Sequence, residues 1–548
     1  MNKWFKSGSP WIWMTGGAIS LSLVAVLGLL LLIAWRGLTY FWPSTVYEFE
    51  IRRPDGVVET VIGEIHDRVE IAASQLRGSG LTVAEDVEFI NRFLIKTGNR
   101  EFVPLDFRWV LETDILARRL ADGVTVIERS KNGNFYGYPL RLLENGQPVS
   151  GELQEQLEAR IERVLDLNKR ALKLQKGDIG HINYQLERSR LAERALELEG
   201  KLDEAAKARF EAERAQLRAD YKVLEKDLFA LRDQAQRDAL VVRDMRGEEV
   251  TIPLNYVLDT YAPNDKNWLQ KTGRWLVQVS KFLTEDPREA NTEGGVFPAI
   301  FGTIFMVLLM AIIVTPFGVI AAIYLHEYAG DNAITRLCRI AVINLAGVPS
   351  IVYGVFGLGF FVYMVGGSID ALFYPEALPS PTFGTPGVLW SALTLALLTL
   401  PVVIVSTEEG LARIPSALRQ GSLALGATKA ETLWRIVIPM ASPAIMTGLI
   451  LAIARAAGET APLMLVGVVK LAPTLPVDGN FPFVHLDRKF MHLGFQIYDV
   501  GFQSPNVEAA RPLVYATSFL LVTVIVALNI TAISIRNHLR EKYRSLEH

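Results

Sequence analysis

Six apolar runs constrain this chain more than any other feature: Trp11 to Trp35, Pro298 to Leu325, Leu337 to Val365, Val388 to Val405, Ala441 to Val468 and Leu513 to Ile535. Each is long enough to cross a bilayer as a helix, which needs roughly 20 residues. Half of the chain is hydrophobic (50%) and its 548 residues leave room for two to four domains. The first run is too long and too apolar for the core of a secretion signal. No small-residue cleavage site follows before Tyr40-Phe41-Trp42-Pro43, so the run reads as an uncleaved anchor with an aromatic belt at its outer end.

Charges in the short connections set the expected orientation. Lys3 and Lys6 precede the first run, Arg336 and Arg339 follow the second, and Arg413, Arg419, Lys429 and Arg435 lie between the fourth and fifth. Arg536, Arg540, Lys542 and Arg544 close the chain, whereas Gly366 to Gly387 has no Lys or Arg. The positive-inside rule then predicts a multi-pass inner-membrane protein with both termini in the cytoplasm, although Lys470, Arg488, Lys489 and Arg511 sit on the opposite side. Cys338 is the single cysteine, so no disulfide forms within the chain. Basic and acidic residues are interspersed throughout, and nothing points to nucleic acid.

About 260 residues separate the first two runs, too many for a simple connection. The expected layout is a tail and first span over 1–43, an exported α+β insert over 44–264, an interfacial segment over 265–297 and a membrane core over 298–548. Tyr47 to Ile51 and Val57 to Ile62 flank Arg52-Arg53-Pro54-Asp55-Gly56, which predicts a β-hairpin. Phe102 to Leu111, Val124 to Glu128, Tyr136 to Leu143, Leu240 to Arg243 and Val250 to Leu254 are further strand candidates. Between them, 151–237 turns helical, with Leu217, Tyr221, Leu224, Leu228, Leu231 and Ala235 spaced as a coiled-coil seam. Breaks are expected at Gly177-Asp178-Ile179-Gly180 and at Gly200. This hairpin reads equally as a docking arm or as a solvated charged pair. Trp268, Trp275, Leu276, Val279 and Phe282, with Lys271, Arg274 and Lys281, suit a helix lying on a membrane surface.

The polar stretch after the fourth run reads Gln420-Gly421-Ser422-Leu423-Ala424-Leu425-Gly426-Ala427-Thr428-Lys429, and nine residues separate Gly426 from Ile436-Val437-Ile438-Pro439. A helix with Ile414, Leu418, Leu423 and Leu425 on its apolar side, a turn at Gly426 and a second short helix from Ala430 to Ile438 would make a compact knuckle within 406–440. Pro439 would open the next span. The plain alternative is an ordinary connection between spans. The spacing resembles the cytoplasmic coupling loop of ABC-transporter permeases: Glu-Ala-Ala, three residues, Gly, nine residues, Ile, one residue, Leu-Pro. Gln420, Gly421 and Ser422 stand where that pattern has Glu-Ala-Ala. Gly294 to Thr303, Leu345 to Gly354 and Ala454-Arg455-Ala456-Ala457-Gly458-Glu459-Thr460-Ala461-Pro462-Leu463 extend the likeness to phosphate-uptake permeases of the PstA type, from about Trp268 onward.

That resemblance implies a type I importer core of six transmembrane helices. It implies ATPase coupling through Gln420, Gly421, Ser422, Gly426, Ala427, Ile436 and Pro439. The implied partners are a homologous permease, a dimer of ATP-binding subunits, a periplasmic phosphate-binding protein and membrane lipid. Glu408 and Glu409 fall where such permeases carry acid, while Val405 replaces an arginine that many of them have just before.

Arg455 and Glu459 can also be read without the family. Four residues apart in an apolar run, they are expected on one helix face, where buried charge faces a polar path or a partner. Guanidinium geometry suits a tetrahedral oxyanion; a structural ion pair is the alternative. Thr460 follows them, and Ser350 and Tyr353 are expected to add some lining beside Gly347, Pro349, Gly354, Gly357 and Gly359, which permit a kink and close packing. The chain has no Gly-x-x-x-x-Gly-Lys-Ser/Thr loop, so ATP hydrolysis is expected on a partner, and no metal, cofactor or catalytic residue is expected. His326-Glu327 reads as an interfacial pair rather than a metal ligand set. Rival readings are a permease for sulfate or molybdate, and a membrane sensor, which lacks an output domain here.

Overall fold

The computed structural model describes residues 7–53, 55–78, 87–103, 106–504 and 507–543. Lys3, Lys6, Pro54 and Arg544, used in the sequence argument, lie outside them. The chain is mainly helical and divides into two compact units, one of residues 41–282 with 288–295 and the other of the remainder. Among the described residues six helices are long and apolar enough to cross a membrane, and all belong to the second of these units. The first span, α1, is Pro10–Thr39.

The other unit is built on two antiparallel sheets. Strands β1 (Val46–Arg52), β2 (Val58–Ala72), β3 (Phe89–Lys96), β4 (Phe107–Leu111) and β5 (Ile115–Leu120) form the first, in the order β4-β3-β2-β1-β5. The second holds β6 (Thr125–Arg129), β7 (Phe135–Glu144), β8 (Gln147–Pro148), β9 (Asp238–Arg243), β10 (Glu249–Pro253) and β11 (Val257–Tyr261). The hairpin around Gly56 is present, with Glu50 opposite Thr60 and Gly56 at φ 84°. β3, β5 and β11 are additional to the strands expected from the sequence: Arg92 interrupts the apolar run of β3, Arg118 and Arg119 that of β5, and Asp259 that of β11. The Arg92 and Arg118 guanidinium groups stand 4.1 and 4.7 Å over the Trp109 and Tyr47 rings, a cation–π contact on the sheet.

Between β8 and β9 run α2 (Leu153–Leu174), α3 (Gly180–Leu198) and α4 (Glu204–Gln236). The chain does not break at Gly177 to Gly180. Five residues widen to a π turn, Gln175–Ile179, and the helix continues. It reverses at Gly200, whose φ of 67° ends α3, and Asp203 caps α4 by accepting from the Ala206 N–H. Tyr221, Leu224, Leu228 and Leu231 of the seam pack against Ala171, Leu174 and Ile179.

Helix α5 (Trp268–Thr284) departs from the interfacial reading on its basic side. Arg274 and Lys281 bind Asp259 at 2.8 and 3.0 Å. Burial alone would raise the Asp259 carboxyl; the two cations outweigh it and hold the group below its usual range. Trp268, Leu269 and Leu276 remain exposed on the other side.

In the membrane unit, α6 is Phe297–Tyr328, α7 Ala333–Leu345, α8 Ser350–Phe373 and α9 Val388–Ala412. α10 is Ser416–Ala424, α11 Lys429–Gly458, α12 Leu463–Val466, α13 Leu493–Tyr498 and α14 Val507–Tyr543. The third run is the main correction. Leu337 is on α7, an amphipathic helix with no buried residue, and the span begins only after Pro349, which cannot extend α7. Cys338 is therefore exposed on α7 rather than at the start of a span. The fifth span starts and ends earlier than expected, since α11 begins at Lys429 and stops at Gly458. The core lies among α6, α9 and α11, through Met306, Met310, Leu395, Leu398, Ala452 and Ala456. Against it, α1 meets α14 at Gly37, where a Cβ would stand 2.9 Å from the Ala516 Cα. A glycine there lets two membrane helices touch backbone to backbone.

Candidate functional site

Two places in the membrane unit bring residues expected at the site together with irregular backbone. The first follows α11. Arg455 is in the last turn, where a cation suits the helix carbonyl end. Glu459 is already outside the helix, with extended backbone at φ −79° and ψ 131°. The two are therefore not on one helical face, as their spacing suggested, but flank a helix end. Arg455 Nε and Glu459 Oε1 are 3.7 Å apart and no hydrogen bond joins them. The guanidinium keeps 37% of its side-chain surface open, so its donors are available. Arg455 is 17 residues beyond Ile438, about 26 Å along the helix, which places it toward one end of the span rather than at its centre.

Thr460 and Pro462 continue the break before α12. A Cβ on Gly354 of α8 would come within 2.7 Å of the Pro462 Cα, so the glycine admits this approach. Tyr353 beside it is buried, lies in the electrostatic reach of Arg455, and donates its hydroxyl to the Leu345 carbonyl at 2.5 Å. Ser350 is one turn earlier, in the first turn of α8. The structure thus brings Arg455, Glu459, Thr460 and Tyr353 to one neighbourhood and leaves Ser350 at its edge.

A further side chain was missed. His492 is 1% exposed, and its Nδ1 accepts the Gly494 N–H at 3.1 Å to cap α13. The point where a Cβ on Gly494 would stand is 2.5 Å from the Thr460 hydroxyl and 3.2 Å from the His492 ring, so the two elements touch there. The available signal was a cap-competent residue just before Leu493-Gly494. Burial pushes the imidazole down to about 3, so it is neutral. Since the folded value lies below the ordinary 6.5, the unfolded chain binds the extra proton first. Stability from neutral His492 is therefore complete above about pH 6.5 and declines toward pH 3, by up to roughly 1.4 kcal/mol per pH unit. Thermal unfolding in detergent at pH 7.5, 5.5 and 4.5 checks this, and His492→Gln is expected to flatten the profile.

The second place is the knuckle between α9 and α11. α10 closes with the Gly426 N–H on the Leu423 carbonyl and the Ala427 N–H on that of Ser422, while Gly426 takes φ 90°. This Schellman pattern needs the left-handed residue, which only glycine adopts without strain. Thr428 and Glu431 form a capping box that starts α11, and the Ser422 and Thr432 hydroxyls meet at 2.9 Å. The expected separate helix from Ala430 to Ile438 is instead continuous with the span. A π turn, Leu433–Val437, precedes Pro439, and the Ile438 N–H reaches back five residues to Leu433. Ile414 and Leu418 pack with Leu411, Leu433 and Val437, but Leu423 and Leu425 face outward. With Gln420, Gly421 and Trp434 also exposed and Ile436 half-buried, the knuckle presents an apolar tip, led by Leu425 at 91% exposure.

Residues 314–545 match the family described as binding-protein-dependent transport system inner membrane component. The phosphate transport system permease protein PstA 1 of Mycobacterium tuberculosis is 36% identical over 217 residues, 39% of this chain and 64% of that protein. The probable phosphate transport system permease protein PstA of Methanocaldococcus jannaschii is 33% identical over 34% of this chain and 60% of that protein. The chain thus spans somewhat less than two thirds of the length of these relatives. Among solved structures, the inward-facing MetNI methionine ABC transporter aligns with 44% of this chain and 94% of its own, at 17% identity and a TM-score of 0.33. Through residues 314–545 the membrane unit is thus similar to the binding-protein-dependent transport system inner membrane components, and the chain resembles permeases of the PstA type.

Proposed function

We propose that the chain is a permease subunit of an ATP-driven importer for inorganic phosphate, working with a homologous permease, a pair of ATP-binding subunits and a periplasmic phosphate-binding protein. One observation supports this reading above the others: an arginine with free donors stands beside a carboxylate where a membrane helix breaks. Ionised side chains are costly in a membrane and mark pathways, and discontinuous helices recur at transporter sites. The relatives' names point to phosphate. Arg455 offers paired N–H groups to the anion, Thr460 a hydroxyl, and Glu459 holds or tunes the guanidinium. Tyr353 and Ser350 line the approach.

In this reading both termini and the knuckle face the cytoplasm, consistent with Arg413, Arg419, Lys429 and Arg435 around it. The ATPase pair receives the tip formed by Gln420 to Ala427 and Trp434 and moves it as a rigid body on ATP binding. The unit of 41–282 and 288–295 is periplasmic, and α5 lays Trp268, Leu269 and Leu276 on the lipid. The test is uptake of radiolabelled phosphate by cells lacking their own importer, supplied with this chain and its neighbouring subunits. Phosphate is expected to enter, with sulfate and molybdate failing to compete; competition by either would make this a permease for other oxyanions.

A further inference from the structure

The knuckle is tied to a helix that the sequence did not connect with it. Arg419 on α10 sets its Nη2 3.0 Å from Glu327 Oε1, at the end of α6, with the two side chains only 20% and 11% exposed. The same guanidinium donates to the Leu411 carbonyl at 2.7 Å and the Ile414 carbonyl at 3.0 Å, closing the end of α9. Lys429, at the start of α11, donates to the Glu327 carbonyl and lies 4.3 Å over the Tyr328 ring. His326 Nδ1 adds a contact to the same carboxylate at 3.1 Å. Exposed ion pairs contribute little, but this one is half-sealed and shares its cation with two carbonyls, so it is held by several bonds at once.

The opposite end of α6 meets the broken end of α11 through one short link. The Leu493 N–H donates to Thr303 Oγ1 at 2.9 Å, and Thr303 donates to the Ala299 carbonyl at 2.7 Å. Leu493 precedes Gly494, which touches Thr460. Between the two ends α6 runs about 40 Å as an α-helix over Phe297–Ile323, and a continuous π turn, Tyr324–Tyr328, carries it on to Glu327. Pro316 omits one hydrogen bond without ending it. Packed cores and rigid helices transmit displacement when both ends are fastened.

We propose that α6 is the lever that carries motion of the knuckle to the Arg455–Glu459 break, entered through Glu327 and left through Thr303. This rests on the reading that an ATPase moves the knuckle, and it makes Glu327 and Thr303 positioning residues rather than anion ligands. The probe is a cysteine at Gly458, which is exposed with nothing within 4 Å of its Cβ position, in a Cys338→Ser background. The whole complex is reconstituted with its ATPase, and labelling by a membrane-impermeant maleimide is compared with and without ATP and vanadate. ATP is expected to change the labelling rate by about fivefold or more, at the lower bound of usual coupling, and Glu327→Gln to abolish that change while ATP hydrolysis continues.

The exchanged pair Glu327→Arg with Arg419→Glu is expected to restore part of the response, which an effect of Glu327 other than its pairing with Arg419 would not permit. Should Glu327→Gln fail to assemble, Thr303→Val cuts the other end and is expected to have the same effect with the knuckle intact. A full ATP response in Glu327→Gln, or in Thr303→Val, overturns the lever. Phosphate uptake by the parent distinguishes the two readings: uptake with no loss in either variant sinks the lever alone. No ATP response in the parent removes the motion itself, and the lever with it.

Discussion

Arg455→Gln is expected to lower phosphate uptake by about 100-fold or more, on the order of 3 kcal/mol, without lowering the amount of protein in the membrane. Glutamine keeps the length and one amide donor pair but loses the charge and the planar fork that meets two oxygens of a tetrahedral anion. The substitution is not expected to unfold the helix end, because among the described residues Arg455 makes no side-chain hydrogen bond and its one ionic contact is 3.7 Å long. Glu459→Gln separates the roles further. It should leave uptake measurable and change the phosphate concentration needed, since the carboxylate acts on the guanidinium rather than carrying the anion. Normal uptake by Arg455→Gln would make the pair structural and move the path to another helix.

Gly302→Val is expected to destroy the membrane unit rather than its chemistry. A Cβ at this position would stand 2.1 Å from the Met491 carbonyl oxygen and 3.1 Å from the Phe490 ring, and a backbone oxygen has no rotamer by which to retreat. Over-packing of side chains costs about 1–3 kcal/mol, and a clash against backbone belongs at or above that upper value. Thr303 is the next residue, so the wedge would also pull its hydroxyl from the Leu493 N–H. Thermal unfolding in detergent and the yield of extractable protein are the measurements. Gly359→Ala is the control: its Cβ would meet nothing within 4 Å, and alanine in a helix is worth roughly 0.5–1 kcal/mol over glycine. A melting point for Gly302→Val within a few degrees of the parent would mean that α6 and the 490–494 segment are not in contact.

Much of the membrane unit was legible because hydropathy acts locally. Val388 to Val405 needed only its composition to be placed, and the structure extends the helix to Ala412 with the same core-facing side. Gly426 was equally readable, since a left-handed turn is a property of one residue. The fifth run shows the limit. Apolarity continues to Val468, yet the helix stops at Gly458, because the segment from Glu459 to Pro462 is held by α8 and α13 rather than by its own ladder. His492 carries no periodic signal and acquired its place only by being buried where a backbone N–H needed an acceptor.

From its own residues the chain determined the number of membrane helices, the polar knuckle between the fourth and fifth and the charged pair at 455 and 459. These depend on hydropathy, glycine geometry and charge within a few neighbouring positions. Only the tertiary structure decided that Leu337 lies outside a span, that Leu425 faces outward and that Glu327 fastens Arg419 and Lys429 across more than 90 residues of sequence. The reason is physical: burial and ion pairing are properties of which surfaces meet, and residues so far apart meet only after the helices have packed.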